Sequence, residues 1–262
     1  MNAFHSIWSK PSGLPENFEI LTAVLSSLLW QKNNGSISMV CDYMVADFLY
    51  STGLFKVWNE IKVTLDDIPD SINPKIYWAA GKLFALSSFS APVVGIDTDF
   101  LVWEKLDFNN IISVIHKEEL ETSCYPDLDV FKEFANDMDF SKKASNTAFF
   151  YINDDEFLKL YTKKSIEFMT KYNPKEASLP HMLFAEQRLF SMCAEKSGLE
   201  ITEFSSLSEL FSEKNRTFTH LWGYKDKLRK NPDLKKAYCE KIINRINSDF
   251  SEYSSLLDYL QI

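Results

Sequence analysis

Short apolar runs alternate with stretches of helical periodicity along the first hundred residues. The apolar runs predict strands at residues 4–8, 36–41, 61–65 and 93–96. Apolar residues at every third or fourth position predict helices that open at Pro15 and cover residues 44–50 and 73–87. Such alternation is typical of an α/β fold with a mostly parallel sheet, whose ligands gather at the carboxyl ends of the strands.

The second half continues the pattern with longer helices. Strands are predicted at residues 111–115 and 146–152, and helices at 127–136, at 183–196 and in a tail that starts at Pro232. Asn153 is predicted to cap a further helix. The chain has no internal repeat, linker or low-complexity tract. We therefore expect one compact unit, with a domain at 1–226 and a helical tail at 227–262 packed on it.

Composition narrows the class of protein. The net charge of −9 and the pI of about 5.1 argue against a nucleic-acid binder. The four cysteines form no C-x-x-C pair, which is typical of reduced thiols rather than of disulfides or zinc sites. No signal-peptide pattern and no apolar stretch of about 20 residues is found. We expect a cytoplasmic protein without a transmembrane segment; its oligomeric state is left open.

The strand predicted at 93–96 runs directly into two carboxylates, Asp97 and Asp99. Unpaired buried charge is costly, and Mg²⁺ or Mn²⁺ commonly joins carboxylates to the phosphates of a substrate. The pattern makes this segment a candidate metal–diphosphate site, although the two aspartates taken alone favour the alternative, an acidic turn. Asp42 and Asp66 also follow predicted strands; Asp42 is expected at the same edge, and Asp66 is interpreted as a turn residue.

Three later segments carry further polar candidates. They are Asn146 at the start of an apolar strand, Glu186-Gln187 in an otherwise apolar helix, and the segment from His220 through Gly223 to Lys225. An imidazole three residues before a glycine can approach a metal while the backbone turns tightly. The alternatives are a hydrogen-bonded core histidine and, for the lysines that follow, a solvated helix face.

The order of these four segments resembles the metal-dependent GT-A glycosyltransferases, most closely the glycogenin-like and bacterial lipopolysaccharide galactosyltransferase families. The resemblance spans roughly residues 3–226 and implies a GT-A-like (Rossmann-like) domain. It implies that Mn²⁺ or Mg²⁺ is held by Asp97, Asp99 and His220. It implies that the transferred sugar or the acceptor faces Asn146, Glu186 and Gln187. The donor is expected to meet Lys82, Asp97, Lys225, Gly223 and Asp42.

The resemblance has departures. Asn-x-Gly becomes Asn146-Thr-Ala148, and the usual Lys-Pro-Trp after the glycine becomes Tyr224-Lys225-Asp226. The implied activity is hexosyl transfer from a nucleotide-diphosphate sugar to a glycan or lipid-linked glycan, with retention of configuration. The alternatives are a haloacid-dehalogenase-like phosphatase, in which Asp154-Asp155 supplies the later acidic pair, and a non-catalytic GT-A-like interaction module.

Overall fold

A computed structural model describes residues 1–120, 123–175 and 178–260. The strands are β1 (Ala3–Ile7), β2 (Ile37–Cys41), β3 (Glu60–Val63), β4 (Val93–Ile96), β5 (Phe100–Val102), β6 (Ile112–Lys117), β7 (Ser145–Ile152), β8 (Ile201–Glu203) and β9 (Phe218–His220). The helices are α1 (Asn17–Asn33), α2 (Tyr43–Ser51), α3 (Ala80–Ser87), α4 (Asp129–Phe134), α5 (Asp155–Lys171), α6 (Leu179–Leu183), α7 (Leu189–Lys196), α8 (Leu207–Leu210), α9 (Tyr224–Lys230) and α10 (Pro232–Asp249).

Seven strands form the central sheet in the order β3-β2-β1-β4-β7-β6-β8. Strand β7 runs antiparallel to both of its neighbours, β4 and β6, and the other six strands share one direction. Helices cover both faces of this sheet. The predicted α/β fold with a mostly parallel central sheet is confirmed.

Strand β7 shows how the two faces are filled. Phe149 and Tyr151 belong to the core under α1 and α10, whereas Phe150 and Ile152 belong to the core under α3, α5 and α7. Successive side chains of a strand point to opposite faces, so an apolar run without alternation is what a sheet buried on both sides requires. The sheet therefore separates two cores and leaves its carboxyl edge available for polar groups.

A second, two-stranded sheet joins distant parts of the chain. Strands β5 and β9 pair antiparallel, with Phe100 opposite His220. Leu221 donates its backbone N–H to the carbonyl of Asp99 over 3.1 Å. This pairing brings the segment after Asp97 against the histidine segment, 121 positions further along the chain from Asp99.

Some predicted boundaries are wrong. Residues 73–79 form successive turns rather than helix, and α3 begins only at Ala80; the Asn73 side chain accepts the N–H of Lys75, which favours a turn. Asp154, not Asn153, caps α5, because the N–H of Asn153 still extends the strand by donating to the Ile111 carbonyl. Leu65 lies in a 3₁₀ turn after β3. Short β8 was not predicted.

The C-terminal helices share the core of the sheet. The Tyr238 hydroxyl lies 2.8 Å from that of Thr22 on α1, and buried Ile242 and Ile246 pack in the same cluster as α1. The predicted boundary at residue 226 falls inside α9, and the division into domain and tail stays a prediction. None of the described helices combines the length and the apolar character needed to cross a bilayer.

Candidate functional site

Asp97 and Asp99 lie in a tight turn that leaves β4 at the carboxyl edge of the sheet. The N–H of Asp97 donates to the Ala148 carbonyl of β7 (2.7 Å), and the N–H of Phe100 closes the turn on the Asp97 carbonyl (2.9 Å). The Asp97 side chain is 30% exposed and that of Asp99 10% exposed. Both carboxylates thus sit on a rigid backbone at the point where the sheet opens.

The structure brings His220 to these carboxylates. One ligand atom from each of Asp97, Asp99 and His220 lies within 4.8 Å of the others. His220 Nε2 is 3.9 Å from Asp99 Oδ1, while its buried Nδ1 finds no hydrogen-bond partner among the described residues. The Nε2 edge of the imidazole thus faces Asp99 at a distance too long for a hydrogen bond, and the three side chains are close enough to share one divalent ion.

Lys82 reaches the same turn from α3. Its buried ammonium lies 2.5 Å from Asp97 Oδ1 and 2.5 Å from Glu186 Oε1, and it donates to the Thr147 carbonyl over 3.1 Å. Burial alone lowers the pKa of a lysine, but Asp97 and Glu186 outweigh it and raise the pKa of Lys82. Lys82 is therefore a permanent positive charge shared between two carboxylates.

Lys225 is the second cation of the site. It extends from the first turn of α9, and its Nζ lies 2.7 Å from Asp99 Oδ2. Burial works to lower the pKa of Lys225, but Asp99 reverses the direction and raises it. Each aspartate therefore has its own ammonium partner, while Glu186 adds a third carboxylate that shares Lys82. The site carries one more carboxylate than it has ammonium groups.

The protonation of the three potential ligands differs. Burial raises the pKa of Asp97 to about 7, against the opposing effect of Lys82. Burial also acts to raise the pKa of Asp99, yet Lys225 and His220 hold that pKa below its usual value. Burial lowers the pKa of His220 to about 4 despite the nearby Asp99, so its imidazole is neutral near pH 7. A neutral imidazole has the lone pair that metal ligation requires.

Glu186 and Gln187 both lie in a π-helical turn, residues Phe184–Arg188, between α6 and α7. Glu186 is buried in the site, where it accepts from Lys82 and, over 2.9 Å, from the Thr147 hydroxyl. Gln187 instead accepts from the Tyr125 hydroxyl over 2.5 Å. π-Helical turns are frequent at functional sites because they redirect one side chain. Of these two residues, Glu186 lines the recess beside the aspartates and Gln187 does not.

Asn146 and Asp42 occupy local roles. Asn146 donates from Nδ2 to Glu118 over 2.8 Å, and its Oδ1 accepts the N–H of Ala148, which fixes the start of β7. Asp42 caps α2 at Val45 and accepts both the N–H and the hydroxyl of Ser9, each over 2.6 Å. Neither lines the cleft, and their contacts with a donor or an acceptor stay predictions.

We call the recess around these charges the aspartate cleft. It has a volume of about 210 Å³, and the predicted site residues that line it are Lys82, Asp97, Asp99, Glu186 and Lys225. His220 and Gly223 do not line the cleft but line a separate groove. His220 connects the two recesses, because it lines the groove and also belongs to the cluster with Asp97 and Asp99.

Sequence reasoning missed several residues of the cleft. Ser6, Trp8 and Trp78 line it, and the buried Trp8 Nε1 has no hydrogen-bond partner among the described residues. Thr147 holds Glu186 in place. Ser6 and Trp8 lie at or just after the carboxyl end of β1, the strand beside β4, so the rule that ligands gather at strand ends was the signal that pointed to them.

Comparison with solved structures finds weak similarities to two glycosyltransferases. The glycosyltransferase GlyE of Streptococcus pneumoniae TIGR4 is 13% identical with a TM-score of 0.42, over 80% of this chain and 46% of that one. Mouse xyloside xylosyltransferase 1 in its apo form is 10% identical with a TM-score of 0.41, over 78% of this chain and 85% of that one. The chain spans about half the length of GlyE, with 46% covered. Likenesses this weak assign no activity.

Among curated proteins none matches the chain. One family model does, over residues 4–259, which is nearly the whole sequence. The chain belongs to the family of unknown function DUF6734.

Proposed function

We propose that this protein is a metal-dependent glycosyltransferase that uses a nucleotide-diphosphate sugar as donor. The observation that carries the proposal is the cluster of Asp97, Asp99 and His220 at the carboxyl edge of a parallel sheet, flanked by Lys82 and Lys225. Two carboxylates and one imidazole suit a divalent cation, and two ammonium groups suit the phosphates of a diphosphate.

The residues present fit a divalent ion. Carboxylate oxygens suit Mg²⁺ and Mn²⁺, and the imidazole favours Mn²⁺ over Mg²⁺. The single excess carboxylate of the site supports the same assignment. Asp97, Asp99 and His220 would hold the ion, which would supply charge neutralisation for a leaving diphosphate.

The lysines have a further role in this proposal. Lys82 and Lys225 pair with the aspartates and have their pKa values raised, so both stay charged at neutral pH. When a diphosphate arrives, Lys225 exchanges the Asp99 carboxylate for a phosphate oxygen, since its side chain is 33% exposed and an incoming ligand can contact it. Lys82 stays between Asp97 and Glu186 and orients both. Fixed positive charge stabilises the leaving group as its negative charge develops.

The size of the aspartate cleft is consistent with part of a donor. Its volume of about 210 Å³ lies below the roughly 300–1,000 Å³ of pockets that enclose whole small molecules. The cleft therefore suits the ion and the diphosphate, with the base and the sugar beyond its rim. Glu186, at the inner wall, is the residue we assign to the transferred sugar.

The phosphatase alternative fails on geometry. It needs Asp154-Asp155 beside Asp97. Asp154 caps α5, and Asp155 accepts the N–H of Ala91, just before β4 begins. Asp97 follows the other end of β4. The four extended residues of β4 lie between Ala91 and Asp97, roughly 13 Å at the usual rise per residue. The second acidic pair lies at the opposite edge of the sheet.

Calorimetry tests the proposal. The wild-type chain is titrated with UDP-glucose, UDP-galactose and GDP-mannose, with Mn²⁺ and then with EDTA. We expect one donor to bind only with the metal, and its saturation at 100 times Kd to add about 2.7 kcal/mol to stability. Slow hydrolysis of the bound donor, followed by NMR, then reports transfer to water.

Three outcomes decide between the readings. Equal donor binding in EDTA removes the metal from the proposal. Donor binding without hydrolysis or transfer to any acceptor leaves the non-catalytic module. Absence of binding to every donor overturns the proposed function.

A further inference from the structure

A second recess lies along the β9–α9 turn and shares none of its described lining residues with the aspartate cleft. This aromatic groove has a volume of about 800 Å³ and is lined by Phe211, His220, Trp222, Tyr224, Lys227 and Lys241, among others. Its volume is within the range of pockets that enclose a small organic ligand. His220, a proposed metal ligand, forms part of its wall, so the groove borders the proposed metal site.

Aromatic rings form a row along this groove. The imidazole of His220 and the indole of Trp222 are stacked at an interplanar angle of 7° with centroids 6.1 Å apart, and Phe211 stacks on Trp222 at 5.8 Å. Trp222 is 49% exposed and Phe211 52% exposed. The row leads from His220 to the surface, where the rings of Trp222 and Phe211 are partly exposed to solvent.

The backbone keeps Trp222 at the tip of the turn. Its φ is 34°, a left-handed conformation that residues other than glycine seldom adopt. The N–H of Leu221 is held by the Asp99 carbonyl, and the N–H of Tyr224 by the Leu221 carbonyl. The same turn thus positions Asp99, His220 and the exposed indole, and strained backbone of this kind clusters at ligand sites.

The charge of the groove is opposite to that of the chain. The net charge of the chain is −9, yet no carboxylate is found among the described residues that line the groove. Lys227 on α9 and Lys241 on α10 both line it, and neither forms an ion pair with a described residue. The groove is therefore complementary to a ligand that is neutral or negatively charged.

We infer that the aromatic groove binds the acceptor of the proposed reaction, and that this acceptor is a glycan with an anionic substituent. A sugar ring has an apolar C–H face, which stacks on an indole, and hydroxyl edges, which hydrogen-bond to neighbouring polar groups. The Tyr224 hydroxyl, which has no hydrogen bond to a described residue, and the two lysine ammonium groups supply such donors around Trp222 and Phe211. A phosphate or a uronate carboxylate on the glycan would meet Lys227 and Lys241.

That the bound glycan is an acceptor rests on the proposed function, but glycan binding is testable without catalysis. NMR titrations use methyl β-D-glucoside, methyl β-D-glucuronide and glucose 6-phosphate as probes. We expect an anionic probe to bind at least threefold more tightly than the glucoside, and the better of the two to show whether carboxylate or phosphate is preferred. Trp222→Ala is expected to weaken binding roughly five- to tenfold.

Matched variants keep the test specific. Phe211 lies one ring further from His220 than Trp222 does, and Phe211→Ala should also lower the affinity for every probe. Lys227→Gln with Lys241→Gln should bring the anionic probes to the affinity of the glucoside. Tyr259→Ala removes another exposed aromatic ring, 67% exposed, and should change nothing.

The outcomes separate this inference from the proposed function. Unchanged binding in both Trp222→Ala and Phe211→Ala, no preference for a charged probe, or no binding of any probe overturns the inference. Calorimetry of UDP with Mn²⁺ on the wild-type chain is the parallel measurement. If the sugars bind but no nucleotide or donor does, the groove is a carbohydrate site and the transferase function fails; if only the donor binds, the groove assignment alone fails.

Discussion

Two acidic pairs lie near opposite ends of strand β4, and their side chains have different partners. At the carboxyl end Asp97 and Asp99 face two ammonium groups, at 2.5 and 2.7 Å. At the amino end Asp154 and Asp155 accept backbone N–H groups, from Phe157 and Ala91. Aspartates therefore form ion pairs with lysines at one edge of the sheet, whereas at the other edge they accept hydrogen bonds from a helix N-terminus and a loop.

The difference comes from the direction of the chain. Parallel strands all end at one edge, where their following loops converge, and helix α3 sends Lys82 to that same edge. At the other edge the helix that follows antiparallel β7 begins, and its first N–H groups need acceptors. Asp99→Asn and Asp154→Ala therefore form a matched pair of variants for function and for stability.

Asp99→Asn should give the largest effect. It removes a proposed anionic metal ligand and the ion-pair partner of Lys225 while keeping the side-chain shape. Loss of residues outside the ligand sphere costs about 10–100-fold in metal affinity, so loss of this ligand should cost at least about 100-fold. Calorimetry with Mn²⁺ measures it, with circular dichroism to check the fold. Wild-type Mn²⁺ affinity in this variant would remove Asp99 from the proposed site.

The stability of the protein should also depend on pH through His5 of β1, which is linked by hydrogen bonds to the turn after β4. Its Nδ1 accepts from Trp58, its Nε2 lies 3.1 Å from the Ser26 hydroxyl, and Ser26 donates to the Phe100 carbonyl beside Asp99. Burial lowers the pKa of His5 from 6.5 to about 3. The unfolded chain thus binds a proton below pH 6.5 and the folded chain does not. Stability is complete above pH 6.5 and falls as the pH drops towards 3.

Between pH 6.5 and 5 this histidine should cost about 2 kcal/mol in the free energy of unfolding. Urea denaturation of the wild type and of His5→Gln at both pH values measures it. Glutamine does not titrate, so the variant should lose less stability over this interval even if it is less stable at pH 7. Equal losses in the two proteins would show that His5 is protonated in the folded state.

Asp154→Ala should affect stability alone. Loss of an N-cap costs about 1 kcal/mol, which lowers the Tm of a chain of this size by roughly 2–4 °C. Mn²⁺ and donor binding should match the wild type, because Asp154 lies at the opposite edge of the sheet. Thermal denaturation and calorimetry measure the two properties. A large loss of donor binding would revive the phosphatase alternative and end the contrast between the two edges.

Lys225→Met should have the smallest effect and the most specific one. Its ammonium lies 2.7 Å from Asp99 Oδ2 and so competes with a cation there. Without it, Mn²⁺ alone should bind about threefold more tightly, the size of a partly exposed ion pair, while UDP should bind Mn²⁺-loaded protein less tightly. Calorimetry of each ligand measures both changes. If both affinities fell together, Lys225 would be a structural residue rather than a donor contact.

Much of the fold was predictable from local pattern. The strand at Val93–Ile96 and its following aspartates were predicted with correct bounds, because four apolar residues between Pro92 and the acids leave little choice. The helix predicted at 183–196 was less well placed: it begins at Leu179 and contains the π-helical turn. Apolar periodicity does not reveal the extra residue of a π-helical turn. The different partners of Glu186 and Gln187 were therefore not predictable.

The sequence by itself determined the alternation of strands and helices, the acidic turn after β4 and the order of the polar segments, because these depend on neighbours along the chain. Only the tertiary structure decided that Lys82 is shared by Asp97 and Glu186 and that Trp222 and Phe211 form an exposed row beside His220. These contacts join residues from different elements. Their pairing depends on how the helices and the β9–α9 turn pack on the sheet, which one-dimensional spacing does not specify.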